Sequence, residues 1–378
     1  MTPFGARQFG RPGTYDGILK FHISEKLVMN AHKVQLKLSS PVSHPLISVV
    51  IPVFNAEATI EKAVYSLGHI QEMNIEVVIV DDGSTDSTQT VLESLQSSID
   101  SSRLRILKRP NRGVAEAANF GVQAARGDWI ARMDADDWSS PHRLRRQLEF
   151  GLQHNLDVVS CLVKIVSLEG HPVLSLQEYE NWLNSCVSPE DILAMRFVEL
   201  PIPNPTILAR REVFEMGYRQ GNFPEDYDLW LRVMAAGYRV GKVPRTLYWW
   251  TDHPNRVTRN QSIYTKAAFI NAKKAHLPEG PLKGVAQCDF WGAGLEGKPW
   301  IRWFQSQGIA IRNIIEVNPR KIGHDIHGVP VIEPERISTK PQLPLFIAVG
   351  VPEGRKKIHD YILGHLPHTP GQDAWFLC

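Results

Sequence analysis

Ile47-Ser48-Val49-Val50-Ile51 is a short, almost wholly apolar run, and it suits a strand covered on both faces. Val77-Val78-Ile79-Val80 repeats the pattern, and Leu104 to Leu107 and Trp129 to Met133 supply two more strands. Helical spacings lie between them. Ile60, Ala63, Val64 and Leu67 follow a cap expected at Asn55. A second helix starts near Ser87, and a third carries Val114, Ala117, Ala118, Val122 and Ala125. Strands alternating with helices predict an α/β fold with a mostly parallel sheet and helices on both faces. Ligands of such sheets sit at the carboxyl ends of the strands. The residues that end each strand are therefore the candidates for chemistry.

Outward from this core the pattern is less regular. Residues 1–45 form an N-terminal arm punctuated by Gly5, Gly10, Pro12, Gly13, Pro41 and Pro45. After caps at Ser139-Ser140, Pro141 opens a helix to about Leu152, and Asp157 to Val166 reads as a strand. The stretch from Ser167 to Ser188 is poorly patterned. A helix runs from about Glu225 to Ala236, where Gly237 ends it, and another from Ser262 to Ala275. Residues 46–276 make one domain, 277–284 a linker, and 285–378 a second domain.

Composition narrows the function. The chain has 378 residues, 43% of them hydrophobic, enough for sizeable cores. Lys plus Arg (42) nearly balances Asp plus Glu (40), so no nucleic-acid partner is expected. The four cysteines, at 161, 186, 288 and 378, form no C-x-x-C pair and read as reduced thiols. No apolar run reaches about 18 residues, and no signal-peptide pattern opens the chain. The expected location is cytoplasmic, with membrane association on the cytoplasmic face left open. Arg143, Arg145 and Arg146 could touch an anionic membrane surface, or form a solvated helix face.

Three acidic clusters stand at strand or helix ends. The second strand ends in Asp81-Asp82-Gly83-Ser84-Thr85-Asp86. Gly83 permits a tight turn, and Asp86 with Gln89 fits a capping box. Two adjacent carboxylates beside a buried strand need repayment from backbone N–H groups, a nucleobase N–H or a ribose hydroxyl. The nucleotide is the favoured partner of Asp81 and Asp82. The fourth strand ends in Met133-Asp134-Ala135-Asp136-Asp137. Strand alternation would let Asp134 and Asp136 converge on one point, and oxygen ligands of that kind suit Mg²⁺ or Mn²⁺ on a diphosphate. A solvated acidic loop, with Asp137 as a cap, is the alternative. The third cluster is Pro224-Glu225-Asp226-Tyr227-Asp228-Leu229-Trp230, whose acids crowd a helix N-terminus favoured by its dipole.

In order and spacing, these motifs resemble family 2 glycosyltransferases of the GT-A fold. The resemblance runs from about Ile47 to about His253. It rests on Val49-Val50-Ile51-Pro52-Val53-Phe54-Asn55, on Val80 to Asp86, and on Asn111-Arg112-Gly113 through Asn119. Ala125 to Asp137 and Glu225 to Trp230 complete it. It implies an inverting, metal-dependent transfer of a sugar from a nucleotide-diphosphate donor, commonly a UDP-sugar, to a hydroxyl acceptor. That acceptor would be a glycan, a lipid-linked species or another alcohol, in glycan or cell-surface polysaccharide biosynthesis.

The resemblance also implies roles. Pro52 and Phe54 pack beside the nucleobase, and Asp81 and Asp82 contact base and ribose. Asn111, Arg112 and Asn119 lie near the nucleotide. Asp134 and Asp136 hold the Mn²⁺ or Mg²⁺, Asp136 most directly. Asp226 is the catalytic base, with Glu225 beside it in the acceptor region. His253 matches a histidine near the diphosphate or metal, against a purely structural role. The chain departs from the pattern at Met216-Gly217-Tyr218-Arg219, at Thr251 where an arginine is common, and at Asn204-Pro205-Thr206 where His-Pro-Thr is usual.

The C-terminal segment contains Gly292-Ala293-Gly294-Leu295-Glu296-Gly297, followed by a helix to about Gln307. Ile311 to Val317 and Leu345 to Val349 read as strands, and a helix spans Glu353 to Leu363. This resembles a small Rossmann-like unit. Gly292, Gly294, Gly297 and Glu316 would then form a second nucleotide site. Equally, the unit could be a docking or homodimerisation module that keeps its glycines for packing. Two other functions remain at this point: a non-catalytic nucleotide-sugar sensor, and a nucleotidyltransferase. The second would normally show a glycine- and lysine-rich loop after the first strand, and Pro52 to Glu57 has none.

Overall fold

The computed structural model describes residues 45–68, 74–167, 174–254, 256, 261–338, 340 and 342–378. Four strands form the parallel half of an eight-stranded sheet: β1 (Ile47–Val53), β2 (Ile75–Asp81), β3 (Leu104–Lys108) and β4 (Trp129–Arg132). β1 pairs in parallel with β2 on one side and β4 on the other, and β2 pairs with β3. Every residue of β2 is buried, and so is all of β1 except Pro52. That explains why both read as continuous apolar runs rather than alternating ones. Helices α1 (Ile60–Ser66), α2 (Thr88–Ser98) and α3 (Val114–Ala124) make the crossovers.

The other half is mixed. β5 (Trp138–Ser139), α4 (Arg143–His154), β6 (Val158–Ser167) and β7 (Leu208–Arg210) follow in sequence, then α8 (Glu225–Ala235) and β8 (Val240–Asp252). β7 runs antiparallel between β4 and β6, and β8 lies parallel to β6. The poorly patterned stretch contains helix α5 (Leu174–Ser185), α6 (Pro189–Met195) follows directly after it, and a one-turn α7 (Arg211–Phe214) precedes α8. β8 is thirteen residues long. Its length carries Trp250, Thr251 and Asp252 back beside the loop that follows β4.

A second sheet of six strands is built from β9 (Gln287–Trp291), β10 (Ala310–Ile315), β11 (Asp325–Ile326), β12 (Val329–Ile332), β13 (Leu345–Ile347) and β14 (Ala374–Phe376). Five of them are parallel, in the order β12-β10-β9-β13-β14. The segment 277–284, expected as a linker, is packed in place. Leu277 and Leu282 are buried in an apolar cluster that contains both Trp230 and Phe290. Helix α9 (Lys266–His276) enters the same cluster. Among the described residues no helix is long and apolar enough to cross a membrane, and all four cysteines are unpaired.

Three local expectations need correction. Asn55 does not cap α1, which begins at Ile60 after Thr59; it adopts φ +51° and its Oδ1 accepts the Thr85 N–H. The Asp86–Gln89 capping box is absent, because Gln89 instead donates to Glu93. Arg143 is not part of an exposed basic face. It is fully buried, donates to the carbonyls of Pro205 and Arg132, and lies over the Tyr248 ring. Arg145 and Arg146 both face Glu149, which leaves no strong cationic patch on that helix.

Candidate active site

The loops after β1 and β2 brace each other. Asn55 N–H donates to Ser84 Oγ, and Ala56 N–H to Thr88 Oγ1. Glu57 N–H donates to Asp86, while Glu57 in turn accepts the Ser87 N–H at 2.7 Å. Asp86, which precedes the N-cap Ser87, also accepts the Thr88 N–H, and Glu57 rather than Gln89 is its partner across the turn. This mutual bracing fixes one wall of a cleft and leaves the Phe54 ring half exposed over it.

Asp81 and Asp82 diverge in role. Asp81 accepts the Ser84 N–H at 2.9 Å and closes the tight turn, where Gly83 has φ +78°. A β-carbon at Gly83 would lie 2.8 Å from the Asn111 nitrogen, so the turn needs glycine. Asp82 lines the cleft, and its oxygens accept the N–H groups of Arg112 and Gly113 and face the Arg109 guanidinium at 3.2 Å. Much of the burial cost of this pair is thus offset inside the protein. Asp81, Arg112 and Asn119 do not line the cleft. The Asn119 amide is spent on the backbone N–H and C=O of Tyr218, both at 2.8 Å, and Arg112 contributes its backbone to Asp82 while its side chain is exposed.

The second cluster lies beyond the end of β4, in a turn, so loop geometry rather than strand alternation brings its acids together. Carboxylate oxygens of Asp134, Asp136 and Asp137 lie within 4.8 Å of one another. Asp137 is committed to structure: Oδ2 accepts the Tyr248 hydroxyl and Oδ1 the Thr251 N–H at 2.7 Å, both from β8. Asp134 faces Arg132 at 3.1 Å. Asp136 meets His253 Nε2 at 2.8 Å. Burial, then the neighbouring carboxylates, push Asp137 well above the usual range. Burial also raises Asp134, against the pull of Arg132. Crowded acids that resist ionisation are an oxygen-only donor set awaiting positive charge, which fits a hard divalent cation. Asp134 and Asp136 are the pair with oxygens free to hold it.

The third cluster opens α8. Glu225 is buried, and both of its oxygens lie within 2.8 Å of the Tyr264 hydroxyl. Asp226 is half-buried. Its Oδ1 accepts the Tyr227 N–H, and burial followed by the Glu225 charge raises its carboxyl to about 8. Asp228 faces the other way and is a structural hub, paired with Arg219, Arg232 and His276.

Pro52, Phe54, Asp82, Asn111, Asp134, Asp136, Glu225, Asp226 and His253 share one cleft of 1310 Å³. Six further lining residues were not legible as site residues: Arg132, Tyr179, Glu199, Asn204, Arg256 and Tyr264. Tyr179 and Glu199 fall in segments whose pattern is weak or irregular. Arg256 stacks on Trp250 at 4.5 Å and donates to Thr251 O, which brings a guanidinium to the cleft near the position where the family arginine is missing.

Packing accounts for two of the three C-terminal glycines, Gly292 and Gly297. Gly292 has φ +105°, and a β-carbon there would meet Ala348 O at 2.7 Å; one at Gly297 would meet Gly292 O at 2.0 Å. Gly294 has open space around it. Glu316 does not point a free carboxylate outward. It accepts the Lys321 ammonium at 2.9 Å and the N–H groups of Val317 and Ala293.

The mostly parallel α/β sheet, with acids from three separate segments in one cleft, has the architecture of the GT-A fold. Residues 48–216 match the family described as "Glycosyl transferase family 2". An uncharacterised glycosyltransferase of Haemophilus influenzae is 36% identical over 34% of this chain and 51% of its own length. The chain thus spans about half of that relative. The succinoglycan biosynthesis protein ExoO of Rhizobium meliloti is 28% identical over 64% of this chain and 71% of its own. The crystal structure of S. aureus TarS residues 1–349, in complex with UDP-GlcNAc, shares the fold at TM-score 0.50 and 20% identity, covering 63% of this chain and 68% of that one.

Proposed function

We propose that the protein is an inverting glycosyltransferase that uses a divalent cation, Mn²⁺ or Mg²⁺, and a UDP-sugar donor. The observation that carries this reading is the meeting of Asp82, Asp136 and Asp226 in one cleft from three distant segments. Phe54 and Asp82 line the part of the cleft assigned to the nucleoside. Asp134, Asp136 and His253 line the part assigned to the diphosphate, with Arg256 in the same cleft. A divalent cation held by Asp134 and Asp136 would stabilise the negative charge of the leaving diphosphate.

The residues of the chain do the rest. The acceptor oxygen forms a bond to the anomeric carbon while the bond from that carbon to the phosphate oxygen breaks. The nucleoside diphosphate leaves with the electron pair, and the hydroxyl proton passes to Asp226. A carboxyl held at about 8 is a stronger base than an ordinary aspartate, which suits it to an alcohol. Direct attack assisted by one base inverts the anomeric centre. The naming of a relative for succinoglycan biosynthesis supports a place in polysaccharide assembly.

The test is to mix the protein with UDP-sugars, Mn²⁺ and simple glycosides, and to follow UDP release and the anomeric proton of the product. Release of UDP with an inverted product is expected. A retained anomeric configuration would refute the mechanism, and no release from any nucleotide sugar would refute the activity.

A further inference from the structure

Asn204 lines the cleft, and its amide oxygen is held by two partners. Its Oδ1 accepts the Tyr218 hydroxyl at 2.9 Å and the Trp230 indole N–H at 3.1 Å. Indole nitrogen can only donate, so the atom facing Trp230 must be the oxygen, and the orientation of the amide is settled. Both lone pairs of that oxygen are then in use. The Nδ2 group, with two N–H donors, has no protein partner among the described residues, and the side chain lines the cleft.

Its position is tied to the catalytic helix. Trp230 and Asp226 are one turn apart on α8 and share a face. The indole that fixes Asn204 therefore belongs to the helix face that carries the proposed base. Tyr218, the second anchor, is buried, and so is Trp230, at 0% exposure. Asn204 is a preset donor in the same cleft as the proposed base. The same cleft is also lined by aromatic and apolar groups: the Tyr179 and Trp250 rings, 6.1 Å apart, and Leu200.

We propose that Asn204 is the acceptor-reading residue of the site, and that the acceptor is a sugar bearing two neighbouring hydroxyls. This rests on the glycosyltransferase reading above. One hydroxyl gives its proton to Asp226, and the oxygen of its neighbour accepts from Asn204 Nδ2. The aromatic wall receives the apolar face of the ring. An alcohol with a single hydroxyl would leave the Asn204 donors facing an apolar group, a loss of roughly 10- to 100-fold when the contact is desolvated.

The experiment measures UDP release from a UDP-sugar with Mn²⁺, first with no acceptor and then with methyl glycosides of glucose, galactose and N-acetylglucosamine. Monodeoxy analogues and 1-butanol complete the set. In the unaltered protein one glycoside is expected to accelerate release. Removal of the hydroxyl next to the attacked one should cut kcat/KM for acceptor roughly 10- to 100-fold. In Asn204→Asp a carboxylate oxygen still receives Tyr218 and Trp230, but the donors are gone; Asn204→Ala removes them without adding charge. Both variants should lose the preference for the intact diol, with most of the change in acceptor KM. A merely structural asparagine would lower rates with both substrates equally. Three results would overturn the proposal: either variant keeping full discrimination, butanol matching the glycosides, or donor hydrolysis with no acceleration by any glycoside. Absence of UDP release under every condition would overturn the transferase reading and this one with it.

Discussion

Nε2 of His253 lies 2.8 Å from Oδ2 of Asp136, though β6, α8 and β8 all intervene in the chain. The long β8 makes the contact, and Asp137 secures it by binding Tyr248 and Thr251 of that strand. One acid of the cluster is therefore a fastener, and its neighbour is presented to the cleft with an imidazole at hand. Asp136→Ala should remove the principal oxygen donor and abolish the enhancement of UDP binding by Mn²⁺. His253→Ala should weaken that enhancement roughly 10- to 100-fold, as loss of a ligand-orienting neighbour does. Calorimetry of UDP with and without Mn²⁺ reads both effects; an Mn²⁺ enhancement that survives Asp136→Ala would remove Asp136 from the cation site.

Asp226 carries a cost that its replacement should reveal. Its folded carboxyl is raised to about 8 by burial and by Glu225, whereas an unfolded chain ionises it in the ordinary carboxylate range. A raised folded value means the native state binds the proton more tightly. The stability it contributes is complete below the unfolded value and is lost as pH rises through about 8. Asp226→Asn should abolish transfer, by roughly 10²- to 10⁴-fold or more, while leaving UDP binding intact. It should also be more stable than the parent at pH 9, on the order of 1–3 kcal/mol after allowance for partial solvent screening, with the gap closing toward pH 5. Thermal melts of both proteins across that range check the sign. A gap that widened on acidification would contradict the assignment.

The parallel half of the sheet was legible because β1 and β2 are buried on both faces and so read as unbroken apolar runs. The three acidic clusters were legible for a related reason: acids that end buried strands or open a helix interrupt an otherwise apolar pattern. What the sequence could not reveal was how each acid spends its oxygens. Asp81 and Asp82 look equivalent, yet one closes a turn while the other lines the cleft with most of its valences taken by Arg109, Arg112 and Gly113. Asn119 lies within a family motif but serves the Tyr218 backbone. Arg143 looked like one of three surface cations and is buried. α5 was missed because only Glu180 and Leu183 of its twelve residues are buried, too few to print a helical stripe.

Asp228 offers a contrast with Asp226 on the same helix. Burial raises its carboxyl, but His276, Arg219 and Arg232 together outweigh burial and hold it well below the usual carboxylate range. Its folded value is lower than its unfolded one, so its contribution to stability is present above the ordinary range and is lost as pH falls through the folded value. Asp228→Asn should destabilise the protein by about 2–4 kcal/mol near neutrality, since it strands cations around a buried site. The penalty should shrink in acid. Denaturant melts at pH 7 and pH 3 would show it, and an unchanged midpoint at pH 7 would mean the ion pairs contribute nothing.

The glycines of the C-terminal sheet separate packing from ligand approach. If they serve packing alone, sensitivity should follow the space around each. Gly297→Ala would force a β-carbon to 2.0 Å from the Gly292 carbonyl, and Gly292→Ala would add strain at φ +105° to a contact of 2.7 Å with Ala348 O. Both should lower the melting temperature by several degrees, consistent with overpacking costs of roughly 1–3 kcal/mol. Gly294→Ala meets nothing within 4 Å and should melt within about a degree of the parent. A nucleotide approaching the loop would reverse that ranking in one respect: Gly294→Ala would then abolish a thermal shift produced by the nucleotide in the unaltered protein. Melting the three variants with and without UDP, UDP-sugars and NAD⁺ distinguishes the cases. With Glu316 already bound to Lys321 and to the Ala293 N–H, the expected result is that none of the three variants changes any nucleotide-induced shift, and that the two crowded positions alone alter stability.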